Sequence, residues 1–334
     1  MQEGGELGVL RGSCDGVAQQ EPDAIYWGQN SYGAAFPNAT GSQQNLGIYC
    51  QDSNINTIPI AFVDVFFGTG GVPVINLADS CQNATFPGTD LLNCGGLSGA
   101  ISSCQENGII VTISLGGGDS TVGFSSDSEA ESFAETIWNT FLGGQSDTRP
   151  FGSAILDGVD LDIEQGSHVG YAAFVNRIRV LSRDSVKKYY ISAAPQCYFP
   201  DAYIGDALNA VGFDMLYVQF YNNPECGLEH FNDPSVWNFD IWDSWAQQSP
   251  NPKIKIYIGA PASESAADTG YVNASILRDI AAQTQRTFPS FGGVMLWDMS
   301  QAYDEENANY HVGIKMALIE DDDPGEEPGC SSST

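Results

Sequence analysis

Short apolar segments recur along this chain, and most of them are followed by apolar positions at helical spacing. Segments that are almost continuously apolar and alternate with helical patterns predict a parallel β-sheet covered by helices. The strands are predicted at residues 23–27, 57–63, 108–115, 155–163, 189–194, 213–220, 254–258 and 292–297. Helix faces are predicted where apolar residues lie four apart, at Phe133, Ile137 and Phe141, at Phe174 and Ile178, and at Ile276 and Ile280.

Eight strand–helix units predict an α/β fold, a closed (βα)8 TIM barrel in a single domain. A doubly wound sheet is disfavoured because no GxGxxG pattern follows the first strand. We expect the barrel to occupy residues 22–319, after an N-terminal extension at 1–21. Residues 320–334 are acidic and then rich in Ser and Thr, which is typical of a solvated tail or linker.

The chain is strongly acidic, with a formal net charge of −30 from 42 acidic and 12 basic residues. Binding to nucleic acid or to an anionic membrane surface depends on clustered Lys and Arg, so the charge argues against both partners. No apolar run of about 18 residues occurs, so no transmembrane segment is predicted. An uncharged polymer suits such a surface better.

Eight cysteines and three Asn-X-Ser/Thr sequons indicate a secreted protein. The cysteines are even in number, and none forms a CxxC motif or lies at zinc spacing from a histidine, so we expect disulfides. The sequons lie at Asn38, Asn83 and Asn273. The first twenty residues are too poor in aliphatic residues for a signal-peptide core, and we expect a signal that has been removed rather than one never needed.

The segment DGVDLDIE at residues 157–164 places several carboxylates in a predicted strand. Asp160, Asp162 and Glu164 alternate with apolar residues and therefore share one face. Like charges that converge in a low-dielectric place raise one another's pKa, which can produce a carboxylic acid able to donate a proton near neutral pH. An acidic surface strand is the alternative, but this segment begins with the apolar residues 154–156.

Calcium binding is a second alternative for these acids. An EF-hand loop needs glycine at its sixth position and glutamate at its twelfth, whereas the sixth and twelfth residues counted from Asp160 are Gln165 and Tyr171. The three histidines match no metal motif and no catalytic triad. We therefore expect no metal ion and no cofactor.

Reactive residues of TIM barrels lie at the carboxyl ends of the strands. There this sequence has aromatic and amide side chains near the acids, which can cover the apolar faces of sugars and bind their hydroxyl groups. Glycoside hydrolysis commonly uses two carboxylates, so the sequence predicts that chemistry. The residues at these ends are Tyr26 and Gln29 at the first strand, Ser114, Gly117 and Gly118 at the third, Gln219, Tyr221 and Asn222 at the sixth, and Trp297 at the eighth.

A family resemblance rests on these same segments. DGVDLDIE fits the DxxDxDxE signature of glycoside hydrolase family 18, and the segment SLGG at 114–117 fits its SxGG motif. Other stretches resemble the plant- and fungal-type class III chitinases of that family: AIYWGQN at 24–30, VINLADSC at 74–81, ISLGGG at 113–118, ISAAPQC at 191–197, VQFYNNPEC at 218–226 and GGVMLW at 292–297. One departure is IGAPA at 258–262, where the plant pattern tends to be LGLPA.

The resemblance implies a role for each residue of the reactive centre. Glu164 would protonate the glycosidic oxygen and later activate water. Asp162 would orient the 2-acetamido group of the sugar being cleaved, which is itself the nucleophile in this family. Asp160 would share a proton with Asp162, and Tyr221 would donate a hydrogen bond to the acetamide. Trp297 would form the floor beneath that sugar.

The resemblance also implies further contacts and three disulfides. Asp157 lies at an odd-numbered position of the predicted strand, on the face opposite the other three acids, so we expect it to be structural. Ser114 is expected to hydrogen-bond the buried acids. The expected sugar contacts are Gln219, Tyr26, Gln29, Gly117, Gly118, Asn222 and Asn76. The implied disulfides are Cys50–Cys104, Cys81–Cys94 and Cys197–Cys226, whereas Cys14 and Cys330 have no counterpart and are either paired with each other or free.

The activity implied by the resemblance is hydrolysis of β-1,4-linked N-acetylglucosamine polymers, retaining and substrate-assisted, by an endo-acting chitinase. We expect a secreted or cell-wall-associated monomer that binds chitin or chito-oligosaccharides. Two alternatives stay open: an endo-β-N-acetylglucosaminidase acting on N-glycans, and a catalytically inactive chitin-binding or inhibitor relative. The second is disfavoured because such relatives typically lose the glutamate or its aspartate partner, and this chain retains Glu164 and Asp162.

Overall fold

The structure is a computed structural model that describes residues 23–38, 43–303 and 310–321. The strands are β1 (Ala24–Ile25), β2 (Thr57–Val65), β3 (Val74–Ile75), β4 (Ile110–Gly116), β5 (Gly158–Asp162), β6 (Tyr190–Ala193), β7 (Met215–Gln219), β8 (Lys255–Pro261) and β9 (Phe291–Trp297). The helices are α1 (Ser31–Ala35), α2 (Leu46–Tyr49), α3 (Ser98–Glu106), α4 (Asp127–Phe141), α5 (Tyr171–Ser182), α6 (Gly205–Ala210), α7 (Phe239–Ala246), α8 (Ala274–Thr287), α9 (Met299–Ala302) and α10 (Tyr310–Asp321).

Eight of these strands form a closed parallel barrel. Their hydrogen-bonded order is β1-β9-β8-β7-β6-β5-β4-β2, and a pairing of β1 with β2 closes the ring. The remaining strand, β3, pairs antiparallel with β2 outside the ring. The predicted TIM barrel is therefore confirmed. The extension at 1–21 and the tail from residue 322 onward, with Cys14 and Cys330, lie outside the described residues.

Each barrel strand differs from its predicted bounds by one to three residues at one end or both, and two of these differences concern the first and the fourth predicted strands. The first is only two residues long, and the fourth begins at Gly158 rather than at residue 155. The reason for the later start is Asp157, whose carboxylate accepts the backbone N–H of Val111 at 2.8 Å and forms an ion pair with Lys187 at 2.8 Å. These contacts fix the chain at the amino end of β5.

Apolar side chains form one large layer between strands and helices and a smaller cluster inside the barrel. Val159 and Leu161 of β5 belong to the outer layer, whereas Tyr217 of β7 belongs to the inner cluster. Because side chains alternate along a strand, Asp160 and Asp162 point into the barrel. The predicted parity of the acids is therefore confirmed.

The apolar faces of the helices pack against the outer layer, and one of the predicted faces needs correction. Phe133, Ile137 and Phe141 of α4 are all buried, as predicted. In α8, however, Ile276 is 46% exposed, and the buried stripe runs through Leu277 instead. The stripe of α8 follows mixed spacings of three and four residues, which the single pair taken from the sequence could not resolve.

The three predicted disulfides are present. Cys50–Cys104 joins α2 to α3, Cys81–Cys94 closes the excursion after β3, and Cys197–Cys226 joins the segments that follow β6 and β7. Among the described helices, none has the length and apolar character needed to cross a membrane.

Candidate active site

A cleft of about 280 Å³ opens at the carboxyl ends of the barrel strands. Strands β1, β2, β3, β4, β5, β7 and β9 contribute side chains to it or deliver the residues that follow them. The lining consists of Gln29, Phe62, Asp64, Asn76, Gly116, Gly117, Gly118, Asp119, Asp162, Glu164, Gln219, Tyr221, Asn222 and Trp297.

Asp160 lies beneath the cleft and is fully buried. Its carboxylate accepts three hydroxyl hydrogen bonds, from Tyr26 at 2.7 Å, Ser114 at 2.6 Å and Ser192 at 2.7 Å. Burial raises the pKa of Asp160, and the three donors oppose this rise because they stabilise the ionised form. The arrangement can hold a negative charge inside the barrel without a cation.

Asp162 lies two residues further along β5, at the base of the cleft. Its Oδ1 accepts a hydrogen bond from the amide of Gln219 at 2.9 Å, and the same amide nitrogen donates to the carbonyl of Ala194 at 3.0 Å. Burial raises the pKa of Asp162 well above its usual range, and the neighbouring charges of Glu164 and Asp160 raise it further. Asp162 therefore holds a proton more readily than an ordinary aspartate does.

Glu164 lies two residues beyond the end of β5 and is half-buried at the cleft wall. Burial raises the pKa of its carboxyl, whereas hydrogen bonding to Gln219 and Asp162 lowers it. A carboxyl group with a raised pKa that reaches the cleft can act as a general acid. Among Asp160, Asp162 and Glu164, the last is the most accessible to a bound molecule.

An aromatic floor and a buried phenol complete the centre. Trp297, at the end of β9, stacks on Phe62 with ring centroids 5.7 Å apart and an interplanar angle of 19°. Tyr221 is 6% exposed. Burial raises its pKa well above the usual value, and the charges of Asp162 and Glu164 add to the rise, so its hydroxyl stays protonated and can donate a hydrogen bond.

The glycines after β4 allow close approach. Gly116 has φ of +120°, and a Cβ at this position would collide with the carbonyl oxygen of Asp162. Gly117 donates its N–H to that same oxygen at 2.8 Å, and a Cβ here would lie 2.8 Å from the ring of Phe62. The run therefore brings β4 close to the acids, and a Cβ at Gly118 would lie 3.7 Å from a carboxylate oxygen of Glu164.

Three polar residues predicted as sugar contacts also line the cleft. Gln29 donates through its amide to the carbonyls of Ala61 at 3.0 Å and Asn76 at 2.9 Å. The side chain of Asn76 accepts the backbone N–H of Ala78 at 3.0 Å. Asn222 accepts the backbone N–H of Asp268 at 2.8 Å. Each side chain is thus held in place by the protein before any sugar binds.

Tyr26 requires a correction. It was predicted as a sugar contact, but it is 1% exposed and does not line the cleft. Because its hydroxyl points at Asp160, it positions the acid network from below. Ser114 also contacts Asp160, and Asp157 lies at the opposite end of β5 from the cleft.

Several lining residues were missed from the sequence. Phe62 and Asp64 lie at the carboxyl end of β2, and Asp119 follows the glycine run after β4. The rule that strand ends carry the site could have found Asp64, since it directly follows the predicted strand at 57–63. The contact of Ser192 with Asp160 had no local signal because it depends on the register between β5 and β6.

Comparison with known proteins agrees with the resemblance. Residues 24–288 match the family Glycosyl hydrolases family 18. The chain is 47% identical over 287 residues to Chitinase 1 of Rhizopus niveus, covering 86% of this chain and 55% of the relative. It is 41% identical over 318 residues to Endochitinase 33 of Trichoderma harzianum, covering 90% of this chain and 93% of the relative.

Among solved structures, the ICChI chitinase from Ipomoea carnea is 34% identical with a TM-score of 0.74, covering 89% of this chain and 99% of that one. The chain spans about half the length of the Rhizopus chitinases that it matches. The family match extends over most of the barrel, from β1 through α8. This chain belongs to glycosyl hydrolase family 18.

Proposed function

We propose that this protein is a chitinase that cleaves β-1,4 linkages between N-acetylglucosamine units with retention of configuration. The observation that carries the proposal is the series of acids along β5 and just beyond it, with Asp160 buried, Asp162 at the base of the cleft and Glu164 at its wall. The names of the relatives support chitin as the substrate.

In the proposed mechanism Glu164 donates its proton to the glycosidic oxygen as the bond to C1 breaks. The oxygen of the 2-acetamido group of the same sugar attacks C1 and forms an oxazolinium intermediate. Water, deprotonated by Glu164, then attacks C1 and restores the acetamide. The two displacements at C1 each invert its configuration, so the new reducing end emerges as the β-anomer.

The other cleft residues support this sequence of steps. Asp162 hydrogen-bonds the acetamide N–H and stabilises the positive charge that develops there. Tyr221 donates its hydroxyl to the acetamide oxygen. Trp297 packs against the apolar face of the sugar. Asp160 shares the proton of Asp162, and such a pair titrates as a unit.

The first test is the variant Glu164→Gln, which retains size and hydrogen bonding but cannot supply the proton. We expect turnover of a chito-oligosaccharide to fall by about 10²- to 10⁴-fold, while the circular dichroism spectrum is unchanged. Retention of more than about a tenth of wild-type turnover would contradict the assignment of Glu164 as the acid.

The second test is the anomeric form of fresh product, measured by NMR. The initial product should be the β-anomer, and a polymer without N-acetyl groups should not be cleaved. An initial α-anomer would instead indicate direct attack by water. Product lengths from soluble chitin oligomers then distinguish endo from exo cleavage, and an N-glycopeptide tests the alternative endo-β-N-acetylglucosaminidase activity.

We also propose that the protein acts outside the cell as a monomer. Three disulfides in one domain are typical of an oxidising compartment, and the sequon residues Asn38, Asn83 and Asn273 are all exposed. Expression through the secretory pathway should yield protein whose mass falls on treatment with an N-glycosidase, and whose scattering mass corresponds to one chain.

A further inference from the structure

Asp64 is a cleft carboxylate for which the proposed mechanism has no use. It lies near the end of β2, is half-buried and lines the cleft. Its Oδ1 is buried without a hydrogen-bond partner among the described residues. Burial raises the pKa of this carboxyl, and hydrogen bonds from the backbone of Asp64, the side chain of Asn76 and the backbone of Val65 only partly offset that rise.

The backbone of Asp64 lies well apart from that of Asp162, the residue proposed to hold the acetamide of the sugar that is cleaved. Val63 is in register with Leu115 of β4, and Leu115 is in register with Leu161 of β5. Asp64 and Asp162 are therefore at nearly the same height on two strands separated by β4. Neighbouring strands lie about 4.8 Å apart, which puts these positions roughly 10 Å apart. That distance exceeds the length of one sugar ring.

The charge of the cleft favours a cationic group at this position. Four acids line it, and within the described residues its lining includes no Lys, Arg or His. The whole chain carries a formal net charge of −30. A half-buried carboxylate is costly to ionise unless a partner compensates its charge. Sugar hydroxyls carry no charge that could compensate it, and amide side chains such as those of Gln29 and Asn222 line the same cleft.

Chitin chains that have lost some acetyl groups supply a fitting partner. A deacetylated unit is glucosamine, whose 2-amino group becomes an ammonium ion in acidic solution. The proposed mechanism requires an acetamide only on the sugar beside Asp162 and Tyr221, so other positions in the cleft can take glucosamine.

We propose that Asp64 makes this cleft a site for partly deacetylated chitin, by pairing with the ammonium group of a glucosamine unit bound next to the unit that is cleaved. This inference rests on the proposed chitinase activity, because it names a substrate class for the same cleft. Asp64 is then a specificity-determining residue. It leaves the acid chemistry of Glu164 unchanged.

The test compares wild type with Asp64→Asn on two substrates, a fully acetylated chitin hexamer and a partly deacetylated chitosan. For wild type, sequencing of the chitosan products by mass spectrometry should show glucosamine enriched at one fixed position relative to the new chain ends. In Asp64→Asn this enrichment should disappear, and kcat/KM on chitosan should fall by about 10- to 100-fold, the range for a lost charged hydrogen bond. The fully acetylated hexamer should change by less than about threefold, since a neutral contact is worth little.

Asp184→Asn is the matched control. Asp184 is exposed in the loop between α5 and β6, at the end of the barrel opposite the cleft. Its substitution by Asn removes one negative charge from the protein, as Asp64→Asn does. This control should retain the enrichment and the wild-type kcat/KM on chitosan. An equal loss in both variants would mean that net charge, and not Asp64, selects the substrate.

Three further results overturn the inference: no enrichment in wild type, enrichment that persists in Asp64→Asn, or an equal loss on both substrates. The last would make Asp64 a contact for neutral sugar. Failure of the chitinase proposal is distinct, since the fully acetylated hexamer would then not be cleaved at all. In that case calorimetric binding of a partly deacetylated hexamer to wild type and Asp64→Asn decides the question, and equal affinities refute the pairing.

Discussion

The buried hydrogen bond between Tyr26 and Asp160 allows a test of the acid network that leaves the cleft lining unchanged. Tyr26→Phe retains the ring, whose centroid lies 5.6 Å from that of Trp297, but removes the hydroxyl that donates to Asp160 at 2.7 Å. Two donors, Ser114 and Ser192, remain on the carboxylate. The perturbation is therefore the loss of a single hydrogen bond.

The expected effect is a displacement of the acid limb of the pH–rate profile. In wild type the Tyr26 hydroxyl stabilises the ionised form of Asp160. Without this hydroxyl, the pair formed by Asp160 and Asp162 binds its second proton at higher pH. A hydrogen bond to a charged group is worth about 1.5–3 kcal/mol, and 1.36 kcal/mol corresponds to tenfold in a proton equilibrium, so the limb should move upward by about 1–2 pH units. On the plateau the loss should stay below about tenfold, because Tyr26 does not line the cleft.

The assay is kcat/KM on a soluble chito-oligosaccharide, measured from acidic to neutral pH. Tyr171→Phe is the control, since Tyr171 is an equally buried residue whose hydroxyl has no hydrogen-bond partner among the described residues. The control should leave the acid limb in place. The reasoning is refuted if Tyr26→Phe leaves the limb unmoved or moves it to lower pH, or if the control moves it as far.

Three further predictions concern stability. Asp162→Asn should abolish most turnover yet raise Tm at neutral pH, by about 2–4 °C for each kcal/mol gained in the free energy of unfolding. The reason is that burial raises the pKa of Asp162, so its ionisation costs stability as pH rises through that value. A lower Tm in calorimetry would contradict this. Cys197→Ala/Cys226→Ala removes a bridge across 29 residues worth roughly 3–4 kcal/mol, so activity should be lost at temperatures where circular dichroism is still native, and simultaneous loss would count against it. Burial opposes ionisation of Asp52, but hydrogen bonds that include one from His311 lower its pKa to about 2. Asp52→Asn should therefore lower the free energy of unfolding in urea at neutral pH, and the loss should vanish as pH falls towards about 2. A loss that does not depend on pH would exclude a stabilising role of the ionised Asp52.

The features that the sequence predicted correctly are those fixed by local alternation. Val159 and Leu161 pack outward and Asp160 and Asp162 point inward, because a strand in this barrel has only two faces and the apolar one must contact the helices. The eight strands were recognisable for the same reason. Neither inference required knowledge of which strands are neighbours.

The features that the sequence did not predict depend on register between distant strands. Tyr26 follows a strand of only two residues, in which Ile25 is level with Leu296 of β9. The side chain of Tyr26 therefore enters the barrel below the cleft instead of at its mouth. The predicted strand at 57–63 stopped before Asp64, whereas β2 continues to Val65 through an irregularity at its pairing with β3. No pattern of apolar residues within one segment contains this information.

The register also explains how one strand can carry three acids that would otherwise repel each other. Asp160 receives hydroxyl donors from β4 and β6 and from Tyr26, Asp162 receives the amide of Gln219 from β7, and Glu164 reaches the cleft. The donors become fewer towards the cleft, so negative charge is best tolerated at the buried end. A proton is therefore favoured on the acids nearer the cleft, and of these Glu164 is the one placed to transfer it. The general acid of β5 is thus selected by the neighbouring strands, through the partners that they supply to each carboxylate.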